Sequence, residues 1–124
     1  MQYAILLYEK ESDFAARDDE QRKGSYWAGW RAYGEALRQA DQNKAGIALQ
    51  GPHTGTTLRV NGGARQVQDG PYADTKEQLG GLFVIDVPDL DTALDWAARC
   101  PAAGYGAVEV RPVLAIGPRR NEGQ

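Results

Sequence analysis

The sequence predicts an α+β domain: a four-stranded sheet, two helices on one of its faces, and a β-hairpin inserted midway. Three observations carry this. Short apolar runs rich in β-formers recur at residues 3–8, 45–50, 81–87 and 107–114. Apolar residues at helical spacing lie between the first two runs and between the last two. Between the middle two, alternating segments flank an Asn-Gly-Gly turn.

Tyr3 to Tyr8 is continuously apolar and reads as a strand buried on both faces. Residues 9–24 are polar. They read as a loop or a weak helical turn, with Asp18-Asp19-Glu20 and Arg22-Lys23 facing solvent. From Ser25, a candidate N-cap, the stripe Tyr26, Trp30, Tyr33, Leu37 and Ala40 marks one face of a helix ending at Asp41 to Lys44. Gly29 and Gly34 each cost about 1 kcal/mol against Ala inside that helix, so packing must offset them. Ala45 to Gln50 is the second strand and Gly51 to Thr56 a loop. Thr56 to Val60 and Arg65 to Gln68 pair around Asn61-Gly62-Gly63 as a hairpin. Gly81 to Val87 is the next strand, and Pro88 ends it. Asp89 or Asp91 caps a second helix with the stripe Leu90, Ala93, Leu94, Ala97 and Ala98, stopped by Pro101. Ala107 to Leu114 is the last strand, and residues 118–124 read as a flexible tail after a single domain at 1–117.

Without the hairpin the order is β-α-β-β-α-β, the ferredoxin-like order. Two helices cover only one face of such a sheet. Phe83, Ile85 and Val87 share one face of their strand, Leu82 and Val84 the other, and both sets want burial. Tyr3, Ile5 and Leu7 oppose Ala4, Leu6 and Tyr8 in the same way. An uncovered apolar face marks an interface, so the expectation is a homodimer with the two sheets facing each other.

Composition narrows the function. The chain has 124 residues, 42% hydrophobic and 25% charged, with a net charge of -3. That balance excludes a phosphate-backbone partner, so no nucleic acid is expected. The N-terminus lacks a basic segment and a long apolar run, so neither a leader nor a membrane span is expected, and the location expected is cytoplasmic. One Cys and one His leave no spacing for a metal site. No cofactor is expected either: "NGG" and "LGGLF" lack the strand-loop-helix setting of a phosphate loop. Cys100 closes the second helix, where the dipole opposes a thiolate, and reads as a buried, inert thiol.

The stretch "DGPYADTKEQLGGLFVIDVPDLDTALDWAARCP" followed by "VEVRPV" closely resembles the YCII-related family, in the branch known for an Asp-Gly-Pro-Phe motif. Here the motif reads Asp69-Gly70-Pro71-Tyr72. The resemblance extends through "GPHTGTTLRV" to the strand at residue 3 and implies a ferredoxin-like domain that dimerises into an α+β barrel. It also implies, for the better-described branch, a His on the first helix and an Asp just before a Pro at the end of the second. This chain has no His between Ser25 and Asp41, and Cys100 precedes Pro101, so neither role carries over. The motif branch brings no assigned reaction.

The motif stretch has a structural reading. Gly70 tolerates the restriction Pro71 imposes, Asp69 can accept from nearby backbone N–H groups, and Asp74 to Glu77 has capping-box form for one helical turn. Gly80-Gly81 permits tight entry to the strand. A functional reading starts from Glu109 and Arg111, charged on a face that other strands make apolar. Same-face neighbours at i, i+2, they pair with each other or meet Arg59, Asp69, Lys76 or Glu77. Asp69, Glu77 and Glu109 are then candidate bases, and Arg59, Arg111 and Lys76 hold a small polar or anionic metabolite, with Tyr72 or Tyr26 as a hydrogen-bonding wall. His53, in the loop after the second strand, is a further ligand-binding candidate. Two readings stay open: a metabolite-binding protein, catalytic by cofactor-free proton transfer or not, and a non-catalytic regulatory or interaction module.

Overall fold

The computed structural model describes residues 1–115, so the tail expected at 118–124 and the boundary at 117 lie outside the described residues. The elements run β1 (Gln2–Glu9), α1 (Glu11–Ala16), α2 (Lys23–Gln39), β2 (Asn43–Ala48), a 3-10 turn (Pro52–Thr54), β3 (Thr56–Asn61), β4 (Ala64–Asp69), β5 (Gln78–Asp86), α3 (Leu90–Ala98), α4 (Ala102–Tyr105) and β6 (Ala107–Pro112). β2, β5, β1 and β6 form one sheet in that order, every neighbour antiparallel, while β3 and β4 pair only with each other. Leaving the hairpin aside, chain order and sheet order are those of a ferredoxin-like α+β domain.

Alternation along β1 decides which face the helices cover. Tyr3, Ile5, Leu7 and Glu9 are buried, while Ala4, Leu6 and Tyr8 between them are half-buried. The buried set packs with Ile85 and Val87, with Tyr33 and Leu37 of α2, and with Ala93, Trp96 and Ala97 of α3. Phe83 meets Tyr33 edge to face at 5.3 Å, and the Tyr33 hydroxyl donates to the Trp96 carbonyl at 2.8 Å. Register places Ala4, Leu6, Ala45, Ile47, Leu82 and Val84 on the opposite face, with Glu109 and Arg111 beside them on edge strand β6.

Several local expectations are corrected. Residues 11–16 form a helix, because Lys10 accepts at its backbone the N–H groups of Asp13 and Phe14 while Asp13 accepts the Lys10 N–H. α2 starts at Lys23, not Ser25, whose hydroxyl donates to the Arg22 carbonyl instead of capping. No helical turn forms at residues 74–77. Thr75 Oγ1 donates to the Glu77 carbonyl, and Gln78 Nε2 to those of Ala73 and Thr75, which spends the local groups on a bent loop. β5 begins at Gln78, so Gly80 and Gly81 lie inside the strand. The Asp89 cap is present, accepting from the Thr92 N–H at 2.8 Å.

Of the three glycines of α2, Gly24 lies in its first turn, and the two in its interior, Gly29 and Gly34, differ. A Cβ on Gly29 would touch Pro101 at 3.4 Å, whereas one on Gly34 would meet nothing within 4 Å. No helix among the described residues is long and apolar enough to cross a membrane.

Candidate functional site

The core face of β1 ends on a carboxylate. Glu9 continues the series Tyr3, Ile5, Leu7 and is 1% exposed. A buried carboxylate requires donors, and three elements supply them. Tyr26 of α2 lies 2.9 and 2.7 Å from the two oxygens and donates its hydroxyl between them. Tyr105 at the end of α4 donates to Oε2 at 2.5 Å, and Arg17 Nη2 reaches Oε1 at 3.2 Å. Two relays extend outward. Arg17 Nε donates to the Tyr26 oxygen at 3.0 Å, and Trp30 Nε1 to the Tyr105 oxygen at 3.2 Å.

Arg17 sits where α1 ends and ties this cluster to the sheet. It donates to the carbonyls of Leu49 and Gly80 and lies over the Phe14, Trp27 and Tyr26 rings at 4.8, 5.5 and 5.7 Å. Trp27 Nε1 donates to its carbonyl. Gly80 makes this possible: a Cβ there would stand 2.7 Å from Glu9 Oε1 and 3.1 Å from Arg17 Nη2. At Gly81 a Cβ would meet the Ile47 carbonyl oxygen at 2.6 Å. The Gly pair thus serves close approach, not entry to the strand.

Burial, the Glu9 hydrogen bond and the Glu9 charge push the Tyr26 hydroxyl up to about 12, against the opposing pull of Arg17. Burial, with Glu9 behind it, raises Tyr105 too, and burial raises Cys100. At neutral pH the two tyrosines are hydrogen-bond donors that keep their protons.

Beside this cluster opens a cavity of 320 Å³, between α2 and strands β1, β2 and β5. Trp27, Trp30 and Phe83 give it aromatic walls. Glu9, Arg17 and Tyr26 form one polar end, and Arg38 and Asn43 lie toward the other. Apolar walls with few, convergent polar groups make this cavity the candidate site.

The residues singled out from sequence are spread over three places. Glu109 and Arg111 pair at 2.7 Å on β6, and Tyr8 donates to Glu109 at 3.1 Å. Arg111 first, then Tyr8, hold the Glu109 carboxyl below the usual range. Arg59, on the hairpin, lies 5.1 Å over the Tyr72 ring. Asp69 ends β4 opposite Thr56. Lys76 and His53 line a 590 Å³ cleft with Lys10 and Pro71. Glu77 is exposed. Among the described residues no hydrogen bond or ion pair joins Glu109 or Arg111 to Arg59, Asp69, Lys76 or Glu77, so the six do not gather. β6 is a sheet edge, whereas the others ride the hairpin and the loop after it. The motif also has a structural use. Gly70 takes φ +103, its N–H donates to Gly55 O at 2.8 Å, and Thr57 donates to its carbonyl, which pins the hairpin base.

Of the cavity residues only Tyr26 was a sequence candidate. Glu9 is visible as the charged last member of a core-facing alternation, but Arg17 and Tyr105 give no such signal.

A YCII-related domain matches residues 1–116. An uncharacterized protein of Rhizobium meliloti (strain 1021) is 40% identical over 124 residues, 95% of this chain and 96% of its own. Among solved structures, the 5-chloro-2-hydroxyhydroquinone dehydrochlorinase of Burkholderia phenoliruptrix AC1100, in complex with 2,5-dihydroxybenzoquinone, is similar with a TM-score of 0.53 at 17% identity. That match covers 94% of this chain and 96% of the other. It shows the likeness of fold, and the match over 1–116 shows the family: the chain belongs to the YCII-related domain family.

Proposed function

We propose that this protein binds a small polar metabolite in the cavity beneath α2, and that proton transfer without metal or organic cofactor is the chemistry its residues suit. One observation carries this: a carboxylate 1% exposed, with donors from three elements, stands at the end of a 320 Å³ aromatic-walled cavity. Tyr26 lines the cavity and keeps its proton up to about 12, and it meets a ligand oxygen by turning its one hydroxyl proton from Glu9 to the ligand, which leaves Glu9 held by Tyr105 and Arg17. Glu9 positions Tyr26, and Arg17 balances the Glu9 charge and holds the Tyr26 oxygen in place. The dehydrochlorinase complexed with 2,5-dihydroxybenzoquinone supports a small-molecule ligand in this fold. The motif Asp69-Gly70-Pro71-Tyr72 supports assignment to the Asp-Gly-Pro-Phe branch of the family.

Titration calorimetry with 2,5-dihydroxybenzoquinone tests the site. Wild type binds, and Tyr26→Phe and Glu9→Gln each weaken binding at least about tenfold. Binding that survives both substitutions moves the site elsewhere.

The open sheet face supports a second copy as partner, making the dimeric barrel. Leu6, Leu82, Val84 and Ile47 share it uncovered, and a patch of that kind marks an interface. Sedimentation at micromolar concentration gives a dimer, and Leu6→Glu a folded monomer. A wild-type monomer contradicts this.

A further inference from the structure

The cavity-facing stripe of α2 has a gap. Trp27, Trp30, Gly34 and Arg38 follow one another at helical spacing, and all four line the cavity. Three are large, and the fourth has no side chain. Packing does not explain it, since a Cβ on Gly34 would meet nothing within 4 Å, whereas Gly29 in the same helix lies against Pro101. A helix-interior Gly costs roughly 0.5–1 kcal/mol against Ala, so the position gives up stability for empty space. That space lies between an aromatic ring and a guanidinium.

We infer that Gly34 is the seat of a flat ring and that Arg38 takes an anionic oxygen on it, which makes the ligand an aromatic carboxylate. This rests on the cavity being the binding site. The ring lies over the Gly34 backbone against Trp30 and Phe83, with its carboxylate toward Arg38 and its far edge toward Tyr26. The charges facing the cavity agree. Glu9 and Arg17 neutralise each other at the closed end. Among the described residues Arg38 is engaged only by Glu35, one turn away, in a pair whose side chains are 65% and 49% exposed. Exposed pairs of this kind are worth about 0–1 kcal/mol. A ligand carboxylate meeting the planar guanidinium at two points therefore displaces Glu35 readily.

The test is calorimetry with benzoate, para-hydroxybenzoate and phenol on wild type and four variants. Wild type binds para-hydroxybenzoate more tightly than benzoate, and phenol weakly. Gly34→Ala raises the melting temperature, because it removes the helix penalty without a clash, and weakens all three ligands. Gly34→Leu keeps the fold and abolishes binding. Arg38→Met weakens the two carboxylates about tenfold and leaves phenol unchanged, while Glu35→Gln strengthens the carboxylates a few-fold. Benzoate binding that survives Gly34→Leu or ignores Arg38→Met overturns the inference. Phenol binding without benzoate binding also overturns it, yet leaves the cavity as the site. Failure of all three rings to bind overturns the inference, while 2,5-dihydroxybenzoquinone binding that Tyr26→Phe weakens still leaves the cavity as the site.

Discussion

Two Glu–Arg pairs on this domain have the same chemistry and opposite settings. Glu9 and Arg17, 3.2 Å apart, have side chains 2% and 12% exposed, and Tyr26 and Tyr105 also donate to the carboxylate. Glu109 and Arg111, 2.7 Å apart, are 41% and 67% exposed and engage one further group, Tyr8. The shorter pair is the weaker candidate. Distance does not make a site. Burial does, because a desolvated charge forces the fold to bring donors to it, and the groups so gathered, Tyr26 and Arg17 among them, also line the space beside it.

The largest expected difference is in stability. Glu9→Ala leaves the Arg17 charge uncompensated and costs about 3–5 kcal/mol, seen as a lower urea midpoint. Glu109→Ala leaves the midpoint where it was. Equal effects would mean that burial is not what separates the pairs.

Next comes the contact that lets the inner pair close. Gly80→Ala puts a Cβ 2.7 Å from Glu9 Oε1, and forcing the pair aside costs about 1–3 kcal/mol. Gly104→Ala, where a Cβ would meet nothing within 4 Å, shows no such loss. A neutral Gly80→Ala would show that the inner pair tolerates displacement.

A smaller effect appears in alkali. The Tyr26 hydroxyl stands at about 12 in the folded chain against an ordinary 10.0. A raised value means that the protonated form is favoured by folding. Its contribution is therefore complete below the ordinary value and is lost as pH rises from there through about 12. Tyrosinate absorbance against pH shows this group ionising late, and Tyr26→Phe removes that part of the alkaline loss. Early ionisation of Tyr26 would contradict the buried setting.

The smallest effect is at the outer pair. Arg111→Ala lets the Glu109 carboxyl return toward its ordinary range, read by side-chain NMR, and binding of ring ligands is unchanged.

Local pattern made much of the fold legible. The apolar run at residues 3–8, the stripe Tyr26, Trp30, Tyr33, Leu37 and the Asn-Gly-Gly turn each encode their element within a few residues, and each is present. Glu109 and Arg111 were readable as partners for the same reason, being same-face neighbours two apart. The inner site was not legible, because its partners are distant in sequence. Glu9 and Tyr105 are 96 residues apart, and Arg17 follows a six-residue helix whose signal is a backbone cap, not a periodic stripe. Gly34 was legible as an anomaly, but its meaning required knowing that it faces empty space.

The most direct test titrates para-hydroxybenzoate into Glu9→Gln and Glu109→Gln side by side. If the cavity beneath α2 is the site, Glu9→Gln loses binding and Glu109→Gln binds as wild type does. The reverse result, binding kept by Glu9→Gln and lost by Glu109→Gln, places the ligand on the open sheet face and removes the cavity from the explanation.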